Sequence, residues 1–124
     1  MGWETSYVPD LDAVLSVYAG AISPGEFREA VLSATSLARQ KGTLKYLTDC
    51  SGLAGGPSIV DLYNMAKMLE AAGCDPGSCE ALVLPQLSAP ASEIRFWETT
   101  CRNRGYAVQV FDTLAQATAW LSER

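Results

Sequence analysis

Few residues in this chain are of a type that could do chemistry. Four cysteines stand at positions 50, 74, 79 and 101, and there is no histidine. Without an imidazole, neither a Ser-His-Asp triad nor a Cys-His pair can form, and the commonest metal ligand is missing. Cys74 and Cys79 are separated by Asp75-Pro76-Gly77-Ser78, so no C-x-x-C occurs. Neither a zinc site nor a thioredoxin-type redox pair is signalled, and no metal or cofactor is expected. The cysteines are expected to be buried, reduced thiols that act as small hydrophobes.

The richest polar cluster is Asp49-Cys50-Ser51-Gly52, followed by Gly55-Gly56-Pro57 and Ser58. A phosphate-cradling P-loop begun at Gly52 would need glycine and lysine where Pro57 and Ser58 stand. A cysteine phosphatase loop begun at Cys50 would need an arginine where Gly56 stands, so its oxyanion clamp is absent. A phospho-receiver site needs an acid pair and a lysine, whereas Asp49 stands alone and the last strand ends in Asp112. What survives of an enzyme reading is Cys50 as a nucleophile at the carboxyl end of a strand. The favoured expectation is no catalytic residue at all.

The elements that must position this cluster are legible from periodicity. Thr5–Val8 and Ala13–Tyr18 alternate with period two around Pro9-Asp10-Leu11-Asp12, which predicts a hairpin. Ser23-Pro24-Gly25-Glu26 is a capping box with proline at the first helical position, and Gly42 closes that helix. Leu44–Thr48 reads as a strand ending at Asp49-Cys50-Ser51, with a loop over 52–57. Ser58 caps a second helix, with Asp61 as box partner and Gly73 as terminator. Glu80–Leu84 is an almost unbroken apolar run, the mark of a strand covered on both faces. A loop over 85–90 leads to a third helix from about Ala91 to Asn103. Tyr106–Phe111 is the last strand, and Thr113 with Gln116 opens the last helix. Glu98 and Arg102 are expected to pair on a solvated helix face.

The order is ββαβαβαβα, an α/β fold. It predicts one five-stranded, mainly parallel sheet with an antiparallel edge hairpin and four helices. Ligands of such sheets sit at the carboxyl ends of the strands, here the segments 49–58, 85–90 and 112–113. With 124 residues the chain makes a single domain, 1–124. Apolar residues make up 48% of it and charged ones 19%, which excludes a disordered polymer. A formal charge of −5 with no Lys/Arg cluster argues against nucleic-acid binding. No apolar run reaches the roughly 20 residues of a membrane span. MGWETSYVPD lacks the basic and apolar regions of a signal peptide, so a cytoplasmic location is expected.

The ββαβαβαβα order, the strand-end Asp49-x-Ser51-Gly52 and a serine at the next helix's start resemble the STAS domain. The closest similarity is to its bacterial SpoIIAA-like branch, related to anti-sigma-factor antagonists and to the Sec14 lipid-transfer fold. Gly20-Ala21-Ile22-Ser23-Pro24-Gly25-Glu26 resembles that branch's step into the first helix. Val110-Phe111-Asp112, with Ala117, Trp120 and Leu121, resembles its closing strand and helix. The resemblance implies a non-enzymatic regulatory module that contacts a protein partner, of kinase or anti-sigma type, through the 49–58 loop and the second helix. It makes Ser58 the phospho-acceptor candidate and Asp49, Ser51 and Gly52 the accompanying contact residues. This sequence departs from the antagonist pattern in flanking Ser58 with Pro57 and Ile59. Taken alone, Ser58 reads as a helix cap.

The alternative is a carrier or sensor of a small hydrophobic ligand, walled by Met65, Met68, Phe96, Trp97 and Trp120. Met68 and Phe96 fall off the inner stripes of their helices. Each is therefore expected to face water, line a pocket or take part in a homodimer interface.

Overall fold

Cap and turn chemistry sets most element boundaries. In the computed structural model, which describes residues 2–124, β1 (Trp3–Val8) and β2 (Ala13–Ala21) form the opening hairpin. Their antiparallel register runs from Trp3↔Tyr18 to Val8↔Ala13. α1 (Pro24–Lys41) starts from the Ser23 capping box, with Ser23 Oγ accepting from the Glu26 amide at 3.1 Å. It stops at Gly42, whose φ of 70° favours a residue without Cβ. Then come β3 (Lys45–Gly55), α2 (Ile59–Met68), β4 (Cys79–Val83), α3 (Ser88–Arg102), β5 (Ala107–Phe111) and α4 (Leu114–Ser122). The element order is the expected one. The sheet runs β1-β2-β3-β4-β5, antiparallel only between β1 and β2.

That order decides where the helices lie. Crossovers of one hand between adjacent parallel strands deliver their helices to the same face. The core accordingly divides in two. On one face Tyr18, Cys50, Leu82 and Val108 pack against Ala30 of α1, Leu62 and Met65 of α2, and Ile94, Trp97 and Cys101 of α3. On the other, Ala13, Leu47, Cys79, Ala81 and Val83 pack against Ala117 and Leu121 of α4 alone. The alternation along β4 sends Cys79, Ala81 and Val83 to α4, and Glu80 and Leu82 to the three-helix face.

Four local expectations are corrected. β3 does not end at Cys50 or Ser51 but continues to Gly55, so most of the expected loop is strand. Against β2, its register steps from Val17↔Asp49 to Ala19↔Gly52, and from Gly20↔Leu53 to Ala21↔Gly55. Each step inserts one extra β3 residue, a bulge that lets a strand carry the glycines. α2 stops at Met68 rather than near Ala72, and the chain turns through 69–73. α3 begins at Ser88, ahead of Pro90, because amides in a helix's first turn have no intrahelical partner for proline to remove. Finally, Glu98 and Arg102 do pair, at 3.7 Å, yet not as a purely solvated face. The Val110 amide donates to Glu98 Oε2 at 2.9 Å, and Arg102 Nε donates to the Val108 carbonyl at 2.6 Å. Both side chains cover the free edge of β5.

Candidate functional site

Two places on the three-helix face gather polar groups. The first is the corner between β3 and α2. Asp49 Oδ1 accepts the Ser51 amide at 3.0 Å, a short-range bond that stabilises the first bulge. Ser51 and Gly52 are exposed, while Pro57 is buried. Ser58 is exposed and caps α2 with a full box: its Oγ accepts the Asp61 amide at 3.2 Å. Its own amide and hydroxyl donate to Asp61 Oδ2 at 3.1 and 2.9 Å. The cap expectation is met, and Asp61 holds the hydroxyl directly. A phosphate on Ser58 would meet that carboxylate as a like charge and dissolve the box.

Beyond the cap, α2 turns an apolar side to solvent. Val60 is 66% exposed, Ile59 49%, Met68 46% and Tyr63 44%. Lys67 and Arg104 both place their charges over the Tyr63 ring, at 5.4 and 5.6 Å. The other side of the helix buries Leu62, Met65 and Ala66.

The second place was not anticipated as a site. Glu80 belongs to the run read as apolar, and its carboxylate lies between sheet and helices. Thr48 Oγ1 donates to Oε2 at 2.6 Å, and Trp97 Nε1 donates to Oε1 at 2.9 Å. Two cavities, of about 60 and 50 Å3, flank it and share Tyr18, Val31, Thr48, Glu80 and Trp97 as walls. Burial raises the Glu80 pKa above its ordinary value, and the bonds from Thr48 and Trp97 only partly oppose that. The signal in the sequence was an acid sharing strand parity with Leu82 and Leu84 in an otherwise apolar segment.

The ligand-wall candidates scatter. Met65 is buried in the core, Met68 faces solvent, and Phe96 packs half-buried against the core; none of the three lines either cavity. Trp97 lines both, whereas Trp120 packs on the α4 face, its ring centroid 5.8 Å from that of Phe111.

All four cysteines are free and buried, as expected. Cys50 is 1% exposed and sits inside β3 rather than at its end. Burial pushes its thiol pKa up, and the Glu80 and Asp49 charges push it further. A thiolate nucleophile at Cys50 is thereby disfavoured. No group of three or more candidate metal ligands occurs among the described residues, and no described helix is long and apolar enough to cross a membrane.

No protein-family model and no curated protein sequence matches the chain. Solved structures do. The anti-sigma factor antagonist SpoIIAA in its unphosphorylated form aligns with a TM-score of 0.56 at 13% identity, covering 96% of each chain. An uncharacterised protein of the DUF3478 family from Shewanella loihica, described as having a SpoIIAA-like fold, aligns with a TM-score of 0.61 at 16% identity. That match covers 97% of this chain and 93% of the other. At such identities the likeness concerns backbone architecture, and the strand order and helix placement above agree with it: the chain has the SpoIIAA-like, STAS-type fold.

Proposed function

We propose that the chain is a non-enzymatic SpoIIAA-like interaction module that engages a protein partner through the 49–58 segment and α2. The observation that carries this reading is the exposed apolar side of α2, directly after the Ser58 cap. Ile59, Val60, Tyr63 and Met68 are each between 44% and 66% exposed there. Exposed apolar side chains on one helix next to polar groups suit a partner contact. Ser58 is the residue through which the contact would be switched. Its phosphorylation would add about −1.5 to −2 charges beside Asp61 and loosen the first turn of the helix that presents the patch.

A photo-crosslinking amino acid placed at Val60 tests the reading, with the same group at exposed Leu32 of α1 as control. One defined polypeptide captured from position 60 and not from 32, and released by Ser58→Asp, is the expected result. Equal capture from both positions would remove α2 as the contact. If Ser58→Asp and Ser58→Ala both leave the captured partner unchanged, the phospho-switch is ruled out. Capture of the chain by itself, with a dimer in light scattering, would reassign the surface to a homodimer.

A further inference from the structure

Among the described residues, Glu80 is the only charged one lining either internal cavity. No cationic side chain pairs with it among the described residues; the ion pair present is Glu98–Arg102. A buried carboxylate without a counter-charge is costly, and proteins normally pair it or neutralise it. Each carboxylate oxygen accepts one protein hydrogen bond, leaving acceptor capacity on both.

Two further observations point at something that fills the space. Ser78 lines the larger cavity and is 4% exposed; its Oγ makes no well-formed hydrogen bond among the described residues, with only the Tyr46 hydroxyl and the Cys74 thiol close by. Buried hydroxyls are rarely left so. Around the same cavity stand Tyr18, Tyr46, Trp97 and Tyr106, with Tyr46 and Tyr106 only half-buried on the outer side. Aromatic walls with a carboxylate at the base attract an organic cation through ring quadrupole and charge together. A metal ion would instead require a ring of oxygen ligands, which these walls do not supply.

We infer that the cavity between the sheet and helices α1 and α3 is a binding site for a small primary ammonium ion. Its charged head would meet Glu80 and Ser78, and its short alkyl tail would lie among the aromatic rings. Size limits the tail. A buried water needs roughly 10–15 Å3 of such space, so the larger cavity takes on the order of four water-sized groups. That fits an amine of up to about three carbons, and no lipid.

Proton competition should accompany binding. Burial raises the Glu80 pKa, so acid fills the site with a proton in place of the amine. The other titratable groups on the walls stay neutral near neutral pH. Burial pushes up Tyr18, Tyr46, Cys74, Cys79 and Cys101, and Tyr106 is pushed up to about 12.

The test uses the full chain, isotopically labelled, titrated with propylammonium chloride at pH 7.5. Potassium chloride at equal ionic strength and 1-propanol serve as controls. The readout is the Trp97 indole N–H resonance, assigned from the Trp97→Phe spectrum. The expected result is a saturable shift with a Kd in the millimolar range or below, weakening as pH falls. In Glu80→Gln, whose single amide oxygen can accept from Trp97 while its NH2 donates to the Thr48 hydroxyl oxygen, affinity should drop at least tenfold. Ser78→Ala should weaken binding less, and circular dichroism confirms that both variants are folded. Absence of a saturable shift overturns the inference, as does unchanged affinity in Glu80→Gln. An equal response to 1-propanol would show that the cavity takes alkyl groups regardless of charge. An equal response to potassium would show that no organic cation is selected.

Discussion

The two faces of the sheet are made from the same strands and yet finished differently. Toward α4 the contact residues are small or aliphatic: Ala13, Ala81, Ala117 and Leu121 have no exposed surface at all. Together with Leu47 and Val83 they line neither cavity. Toward the three helices the same strands supply Ser16, Tyr18, Thr48 and Glu80, and the packing leaves two voids. β4 shows the contrast within five residues, since Ala81 and Val83 close one face while Glu80 opens the other. The α4 face is closed by fully buried small and aliphatic residues, while the other face carries polar groups and space that a stability optimum would remove.

The sharpest way to break that contrast is to damage the closed face. Leu121→Ala removes a fully buried side chain from a site with little room to collapse. A loss of about 2–5 kcal/mol in urea unfolding is expected. A loss below about 1 kcal/mol would mean that α4 is dispensable and the comparison wrong.

The next effect belongs to Glu80 and has a sign. Because its folded pKa lies above the unfolded value of 4.5, the folded chain holds the proton longer as pH rises. Its contribution is fully present below 4.5 and is lost as pH climbs through the raised folded value. Across that window the wild type should lose up to about 1.4 kcal/mol per pH unit relative to Glu80→Gln. Urea titrations of both proteins from pH 4 to 8 measure the difference. A flat difference curve would place Glu80 in contact with water and erase the polar character of its face.

The sequence revealed the two faces unequally. The α4 face followed from periodicity and from the Thr113 capping box, whose Oγ accepts the Gln116 amide at 3.2 Å. Ser23, Gly42 and Ser58 were equally legible, because a cap is a local event written in adjacent residues. Glu80 was not legible as a site: its partners Thr48 and Trp97 lie 32 and 17 residues away. Only the sheet register and the seating of α3 bring those groups together. The extent of β3 was missed for a related reason. Glycines read as loop residues, while the bulges that accommodate them exist only in the pairing with β2. Met65, Met68 and Phe96 were grouped by residue type, and the fold separates them by direction.

Matched caps allow a smaller, sharper comparison. Ser58→Ala and Thr113→Ala each remove a boxed N-cap, at a cost of about 1 kcal/mol apiece. Their differences lie beyond stability. Thr113→Ala should leave the Trp97 indole resonance unchanged. Ser58→Ala should move it, because Pro57 and Leu62, on either side of the cap, wall the second cavity together with Trp97. Equal spectra would show that the corner and the cavity do not communicate.

The smallest expected effect concerns how the three-helix face is fastened at its far edge. β5 pairs only with β4, so the Val108 carbonyl and the Val110 amide point outward, where another strand could dock. α3 answers with Arg102 on the first and Glu98 on the second, bonds that a surface ion pair by itself would not require. The pair is only half in solvent, Arg102 52% and Glu98 16% exposed, and Glu98→Ala or Arg102→Ala should cost about 1 kcal/mol or less. What such a variant loses is occupancy of the edge: the Val110 amide in Glu98→Ala, or the Val108 carbonyl in Arg102→Ala, becomes available to a second chain. Sedimentation velocity over a concentration series should therefore show self-association in Glu98→Ala. Glu123→Ala, which removes an exposed acid just past α4, should stay as the wild type. If both variants behave alike, the change in net charge is responsible, and the two backbone contacts serve only to seat α3.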